Sequence, residues 1–114
     1  MALTMTTGKS HTRRIATWAT ETTAGSASIT RYAPLISLAN ASVQISGTFG
    51  GATVVLQGSN DGTTYATLKD LQGNNLSFTA AGYAEFSSGA AFIKPSISGG
   101  AGDSLNINVA HWAG

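Results

Sequence analysis

Apolar and polar residues alternate with period two through most of the chain from Leu35 onward, which is the pattern of strands buried on one face. Val43 and Ile45 alternate with polar neighbours in one segment, and Leu105 and Val109 belong to another near the end. Turn-forming residues interrupt the pattern about every 8–12 residues, and no helical stripe of apolar residues is present. The sequence therefore predicts an all-β fold, an antiparallel β-sandwich or jelly roll of about seven or eight strands.

Turn signals divide these strands. The Gly-Gly pair at 50–51 predicts a two-residue hairpin, because both positions accept the positive φ that such a turn requires. The Asn-Asp-Gly run at 60–62 predicts the bend of another hairpin. Its oxygen atoms would also suit calcium, but the longer ligand series of an EF-hand loop is absent, so we favour the turn. Pro95 predicts a sheet edge or a bulge for its segment.

Residues 1–34 differ in composition from the rest of the chain. They are rich in Thr, Ser and Ala, they contain four of the six basic residues, and their larger apolar residues are scattered. Pro34 ends this region. We therefore predict an extended N-terminal arm over residues 1–34, with short strands near 15–20 and 28–32, followed by a β-sandwich domain over residues 35–114.

The chain carries few charges. Only 10% of its residues are charged, against about 25% in ordinary soluble domains, and none lies between Tyr32 and Asn60. A net charge of +1 supplies no long-range field for a nucleic acid or an anionic membrane, so we expect neither as a partner. Free monomers use charge to stay soluble and to protect sheet edges. We therefore expect other protein subunits to cover part of this surface.

The sequence also bears on where the protein is made. The N-terminal segment MALTMTTGKSHTRR lacks the apolar core of a signal peptide, and no segment has the ~20 apolar residues needed to span a bilayer. Cysteine is absent, which excludes disulfides and thiolate metal ligands. We expect synthesis in a cytosol.

Groups suited to catalysis are sparse. His11 and His111 are the two histidines, the five carboxylates form no recognisable spaced pair, and no nucleophile-elbow motif is present. We therefore predict no enzymatic activity, no cofactor and no metal site, and a packed or solvent-facing role for His111. Trp18 and Trp112 are the side chains on which a sugar would stack, although both could equally anchor their segments on a neighbouring subunit.

The hairpin over residues 54–68 resembles one found in galactose-binding-like jelly rolls. There a strand, a Gly-Ser-Asn-Asp-Gly turn and an aromatic residue follow one another, and Tyr65 takes the aromatic position in this chain. In that superfamily the turn sets the strand register, the aromatic covers the core, and other loops hold ligands. The resemblance implies the fold more than it implies carbohydrate binding.

From Ala41 to Val109, about two-thirds of its length, the chain resembles a family of small virion-associated proteins of tailed bacteriophages. The matching blocks are SGTFGGATVVLQGSNDGTTYATLKDLQGNNLSFTAAG and FIKPSISGGAGDSLNINV, of which the first is the more specific. Tyr65 stands where Trp is frequent in that family. Residues 1–34 lie outside the match, so nothing is carried over to them.

The resemblance implies a structural component of a phage particle. The most direct reading is a capsid decoration, or cement, protein that binds the outer head surface and bridges capsomers. The alternative is a tail or head-fibre accessory module that binds a host-surface glycan. The implied partners are the major capsid protein and copies of the chain itself. We expect a homotrimer or another symmetric oligomer, because such rings fit the symmetry axes of a capsid. The implied location is the virion, after synthesis in the host bacterial cytoplasm.

Five residues of the predicted arm are the expected contact residues. Ile15, Trp18 and Tyr32 would anchor the arm on a neighbour. Arg13 and Arg14 would pair with capsid carboxylates, for which the guanidinium group is well suited. An extended arm could also add a strand to the open sheet edge of a neighbouring subunit.

Overall fold

The computed structural model describes residues 3–7, 13–26, 29–33 and 38–112. This part of the chain contains no α-helix. Its strands are β1 (Leu3–Thr7), β2 (Arg13–Glu21), β3 (Leu38–Thr48), β4 (Thr53–Ser59), β5 (Ala66–Thr67), β6 (Ser77–Phe78), β7 (Gly82–Ser88), β8 (Phe92–Ser98) and β9 (Ser104–Trp112). Two of these nine strands, β5 and β6, contain two residues each. The seven strands from β3 to β9 agree with the seven or eight predicted from the turn signals.

The strands form two antiparallel sheets that pack together as a sandwich, as the sequence predicts. The five-stranded sheet has the order β1-β2-β9-β3-β7. The second sheet is built around β4, which pairs with β8 along its whole length. Because β8 occupies one edge of β4, the two short strands β5 and β6 pair one after the other along its opposite edge.

The core lies between the sheets and follows the period-two pattern. Residues 54, 56 and 58 of β4 are buried, and the residues between them are half-buried. Leu105, Ile107 and Val109 have no exposed surface, as their shared face predicts. The large apolar side chains that are almost completely buried are Trp18, Ile45, Leu56, Leu76, Phe86, Ile93, Ile97, Leu105 and Ile107.

The Gly-Gly turn corrects one prediction. Gly50 and Gly51 do adopt positive φ angles of 54° and 84°, and the N–H of Ala52 donates to the carbonyl of Phe49 at 2.8 Å. The flanking strands β3 and β4 nevertheless lie in different sheets, so this turn is a crossover and not a hairpin. Burial explains the difference, because Ala52 is in the core and Phe49 packs against it. The turn therefore carries the chain from one sheet to the other.

Two other local predictions are confirmed. The Asn-Asp-Gly run at 60–62 connects β4 with β5, which pair antiparallel, so this segment is the bend of a hairpin. Pro95 lies in the edge strand β8. The N–H of Ile93 points away from β4, since it donates to the carbonyl of Tyr32 at 2.9 Å. N–H directions alternate along a strand, so the nitrogen of Pro95 faces the same outer edge, where the missing N–H interrupts no pairing with β4.

The described part of residues 1–34 is built into the sandwich. Strand β2 lies inside the five-stranded sheet between β1 and β9, and Trp18 on it is completely buried. The indole N–H of Trp18 donates to the carbonyl of Thr30 at 2.7 Å, which ties the 29–33 segment to the core. The predicted boundary at 34/35 therefore does not separate an extended arm from the sandwich. The apolar residues of β2 are few, but they alternate, and this alternation outweighs the Thr-rich composition.

Candidate docking surface

The five-stranded sheet turns one face to the core and the other outward, and we call the second the outer face. Burial alternates along each long strand, so the residues between the buried ones belong to the outer face. Its described members are Arg13, Ile15 and Thr17 in β2, Asn106, Asn108 and Ala110 in β9, Ser42, Gln44 and Ser46 in β3, and Tyr83 and Glu85 in β7.

The centre of the outer face consists of uncharged polar groups. Gln44 is opposite Asn108 in the β3–β9 pair, and Thr17 is opposite Asn108 in the β2–β9 pair. The hydroxyl of Thr17 donates to Oδ1 of Asn108 at 2.7 Å. Because amides and hydroxyls both donate and accept, they can exchange hydrogen bonds with a protein partner without the cost of desolvating a charge.

The loop that could have held calcium is stabilised by its own side chains. The N–H groups of Thr63 and Thr64 each donate to Oδ1 of Asp61 at 2.8 Å, and the hydroxyl of Ser59 donates to the same oxygen at 2.8 Å. The hydrogen bonds from Thr64 and Thr63, followed by that from Ser59, lower the pKa of Asp61 to about 2. Gly62 completes the loop with a φ of 76°. Within the described ranges, no group of three or more His, Asp or Glu side chains could hold a metal ion.

The other described carboxylates lie in a turn, in the core or on the outer face. Asp70 accepts main-chain N–H groups of the turn that follows it, at 2.9 Å each. Asp103 is buried and accepts the N–H and the hydroxyl of Thr23 at 2.7 and 3.0 Å. Glu21 is buried. The carboxylate of Glu85 is exposed on the outer face.

A groove next to the outer face carries exposed apolar groups. Leu71 and Tyr83 are the large apolar side chains of the described residues that remain 63% and 60% exposed. Both line the same groove, whose volume is about 270 Å³. The 70–74 turn reaches it because the N–H of Leu71 donates to the carbonyl of Glu85 at 3.2 Å. Further lining residues are Arg13, Asn40, Ser42, Glu85 and His111. We call this feature the Leu71–Tyr83 groove.

Arg14, Tyr32 and His111 meet inside the sandwich at the end near this groove. The Tyr32 hydroxyl lies 2.8 Å from Nε2 of His111. Burial lowers the pKa of His111, and the nearby Arg14 guanidinium lowers it further. Burial raises the pKa of Tyr32, while Arg14 acts in the opposite direction. His111 is therefore neutral near pH 7, in the packed position that was one of its two predicted roles.

The structure does not bring the five predicted contact residues together on one surface. Arg13 is exposed and Ile15 is half-buried on the outer face. Trp18 and Tyr32 point into the core with 0% and 7% of their surface exposed, so neither can anchor the chain on a neighbour in this fold. For the same reason Trp18 offers no surface on which a sugar could stack. The side chain of Trp112 lies outside the described residues. A contact between a partner and Arg13, Arg14 or Ile15 stays a prediction.

The period-two pattern does not single out the residues that form this surface. Leu71 lies beside a turn, although a large apolar residue among Asp, Gln and Gly is itself a signal of exposure. Tyr83 begins a short segment, YAEF, whose pattern indicates no role for it. Gln44 and Asn108 alternate with apolar residues that predict only a buried face, and the sheet order that brings the two amides together is not visible in the sequence.

Comparison with known proteins finds a shared fold. No protein-family model and no curated protein sequence matches the chain. Among solved structures, the SPBc2 prophage-derived protein YomS matches with a TM-score of 0.63 over 89% of this chain and 95% of that one, at 12% sequence identity. No helix in the described part of this chain is long and apolar enough to cross a membrane. The chain thus has an all-β sandwich fold in common with a prophage-derived protein.

Proposed function

We propose that the chain is a structural component of a bacteriophage particle, and that it decorates the head by binding the outer capsid surface and bridging capsomers. The observation that carries the proposal is the outer face, a sheet surface whose centre presents amides and hydroxyls and almost no charge. The fold shared with a prophage-derived protein supports the setting. The sequence resemblance to virion-associated proteins supports it further.

A decoration protein binds at positions that repeat over a shell, so that each contact can be weak while many of them add up. The outer face suits this task because its central residues, such as Gln44 and Asn108, cost less to desolvate than charged groups and form hydrogen bonds with either donors or acceptors. Leu71 and Tyr83 supply exposed apolar area at the side of this surface. In the proposed complex the major capsid protein covers these groups, and copies of the chain contact one another on the shell.

The proposal is tested by adding the purified protein to phage heads assembled without it, followed by cosedimentation. A Gln44→Lys variant introduces a charge at the centre of the outer face, and we expect at least a tenfold loss of binding because the charge must be desolvated. Thr53→Lys is the matched control, since Thr53 is half-buried on β4 in the other sheet and is opposite the uncharged Ser98. Equal binding by Gln44→Lys and the wild type would refute the docking role of the outer face.

A glycan-binding tail or fibre module is the second candidate, and Tyr83 is the observation that favours it. Its ring is exposed beside Asn40, Ser42 and Glu85, a combination of a stacking surface with hydrogen-bonding groups. Binding of host-surface glycans that is lost in Tyr83→Ala, together with no binding to heads, would favour this function over decoration.

A further inference from the structure

β1 forms one edge of the five-stranded sheet. It pairs with β2 over five residues, from Leu3 opposite Trp18 to Thr7 opposite Arg14. No strand among the described residues pairs with its other edge. An edge of this kind presents unpaired N–H and C=O groups and is a template for another strand.

The other three sheet edges are protected in recognised ways. Along β7, Phe86 forms a bridge with Asp70, so the 70–74 turn covers part of that edge. Along β8, Tyr32 bridges to Ile93, and Pro95 removes a donor from the same edge. The remaining edge of the second sheet is divided between the two-residue strands β5 and β6. Coverage, proline and short length are devices that prevent edge-to-edge association.

β1 has none of these devices in its sequence. Its residues are Leu-Thr-Met-Thr-Thr, without a charged residue, a proline or a glycine. Three of the five are β-branched threonines, which favour extended structure. Among the four edges, β1 is therefore the one suited to strand addition.

We propose that β1 pairs with β1 of a second copy of the chain, antiparallel about a two-fold axis, so that the two five-stranded sheets become one sheet of ten strands. Complete overlap of the two strands puts Met5 on the axis, Thr4 opposite Thr6 of the second copy, and Leu3 opposite Thr7. This pairing is an interaction of the isolated protein and does not depend on a role in a phage particle.

Charge favours a second copy in this orientation. Arg13 and Arg14 lie at the Thr7 end of β1. A two-fold axis through Met5 places the arginines of the two copies at opposite ends of the joined sheet, more than ~13 Å apart along the strands. Parallel pairing would gather all four at one end. Because β1 itself is uncharged, β1 of a second copy can pair with it without repulsion between charged side chains.

Two five-residue edges bury much less than the ~1,200 Å² of a standard stable interface, so the dimer is weak in dilute solution. The same pairing also joins two outer faces side by side, because β1 and β2 are neighbours in each copy. On a surface that concentrates the protein, the pairing would therefore link adjacent copies.

The test is sedimentation velocity on the full chain from about 10 µM to about 1 mM, the range that suits a weak interface. We expect a concentration-dependent dimer. In the double variant Thr4→Lys with Thr6→Lys, lysines stand directly opposite one another at both off-axis positions, which should raise the dimer dissociation constant about tenfold or more. In Thr4→Lys with Thr6→Glu, each lysine faces a glutamate, and the dimer should return to within about threefold of the wild type.

Thr4 and Thr6 occupy register positions opposite Thr17 and Ile15 of β2. Circular dichroism checks that each variant is folded, and Thr67→Lys on the exposed β5 is the matched control. Hydrogen exchange at residues 3–7 should slow as the protein concentration rises. A monomer at every concentration, a trimer, a dimer unaffected by the double lysine variant, or no recovery in the charge-swapped variant would each overturn the proposal.

Discussion

Replacement of Trp18 by Ala tests whether the N-terminal region is part of the core. The Trp18 side chain is completely buried between the sheets. A buried tryptophan removes about 150–250 Å² from water, which at about 25 cal/mol per Å² corresponds to about 4–6 kcal/mol. Compactness of the unfolded chain reduces this by roughly 10–40%. We therefore expect Trp18→Ala to lower the free energy of unfolding by about 3–5 kcal/mol, in the range measured for such core truncations.

Urea unfolding followed by far-UV circular dichroism measures this change. Trp18→Phe keeps most of the apolar volume but removes the indole donor that bonds to the carbonyl of Thr30 at 2.7 Å, so its loss should be smaller, about 1–2 kcal/mol. Leu71→Ala is the surface control, because its side chain is 63% exposed, and it should change stability by less than about 0.5 kcal/mol. If Trp18→Ala lowered the free energy of unfolding by less than about 1 kcal/mol, the burial of this region would be contradicted. The predicted extended arm would then be favoured.

Three further predictions concern the loops and the buried histidine. Gly62→Val should cost about 1–3 kcal/mol because φ is 76° at this position, whereas Gly89→Val, where a Cβ meets nothing within 4 Å, should be nearly neutral in urea titrations. Asp103→Ala removes the acceptor of two Thr23 donors and should cost about 1–3 kcal/mol in the same assay. The pKa of His111 is lower in the folded state than in the unfolded chain, so the unfolded chain binds the proton more readily, and stability should fall as the pH drops below about 6.5. In His111→Asn, the melting temperature should fall less as the pH is lowered. The same fall in the variant and the wild type would contradict the assignment to His111.

The period-two alternation predicts the fold class because it reports directly which residues face a core. It placed Leu105, Ile107 and Val109 on one buried face, and the structure agrees. Local turn chemistry was equally informative at the 60–62 loop, where the φ of Gly62 and the capping carboxylate of Asp61 are properties of the segment itself.

Strand pairing could not be predicted in the same way, because it depends on contacts distant in sequence. Gly50 and Gly51 have the predicted backbone conformation, but the turn joins two sheets, and nothing within it distinguishes a crossover from a hairpin. The burial of Trp18 cannot be predicted from residues 1–34 for a related reason. Its strand is completed by β9, which lies near the other end of the chain, so the composition of residues 1–34 alone suggested an arm.

The candidate docking surface depends even more on topology. Thr17, Gln44 and Asn108 come from three separate segments and become neighbours only in the folded sheet. The low charge of the sequence predicts an assembly surface, and the folded sheet shows where uncharged polar residues gather, because β2, β9 and β3 bring Thr17, Asn108 and Gln44 together.

The number of copies of the chain in purified phage particles tests the proposed role most directly. Quantitative mass spectrometry of virions from a phage or prophage that encodes the chain measures it against the major capsid protein. Decoration of a repeating shell predicts on the order of hundreds of copies per particle. A dozen or fewer copies would point to a tail component, and complete absence from the particle would contradict the proposed function.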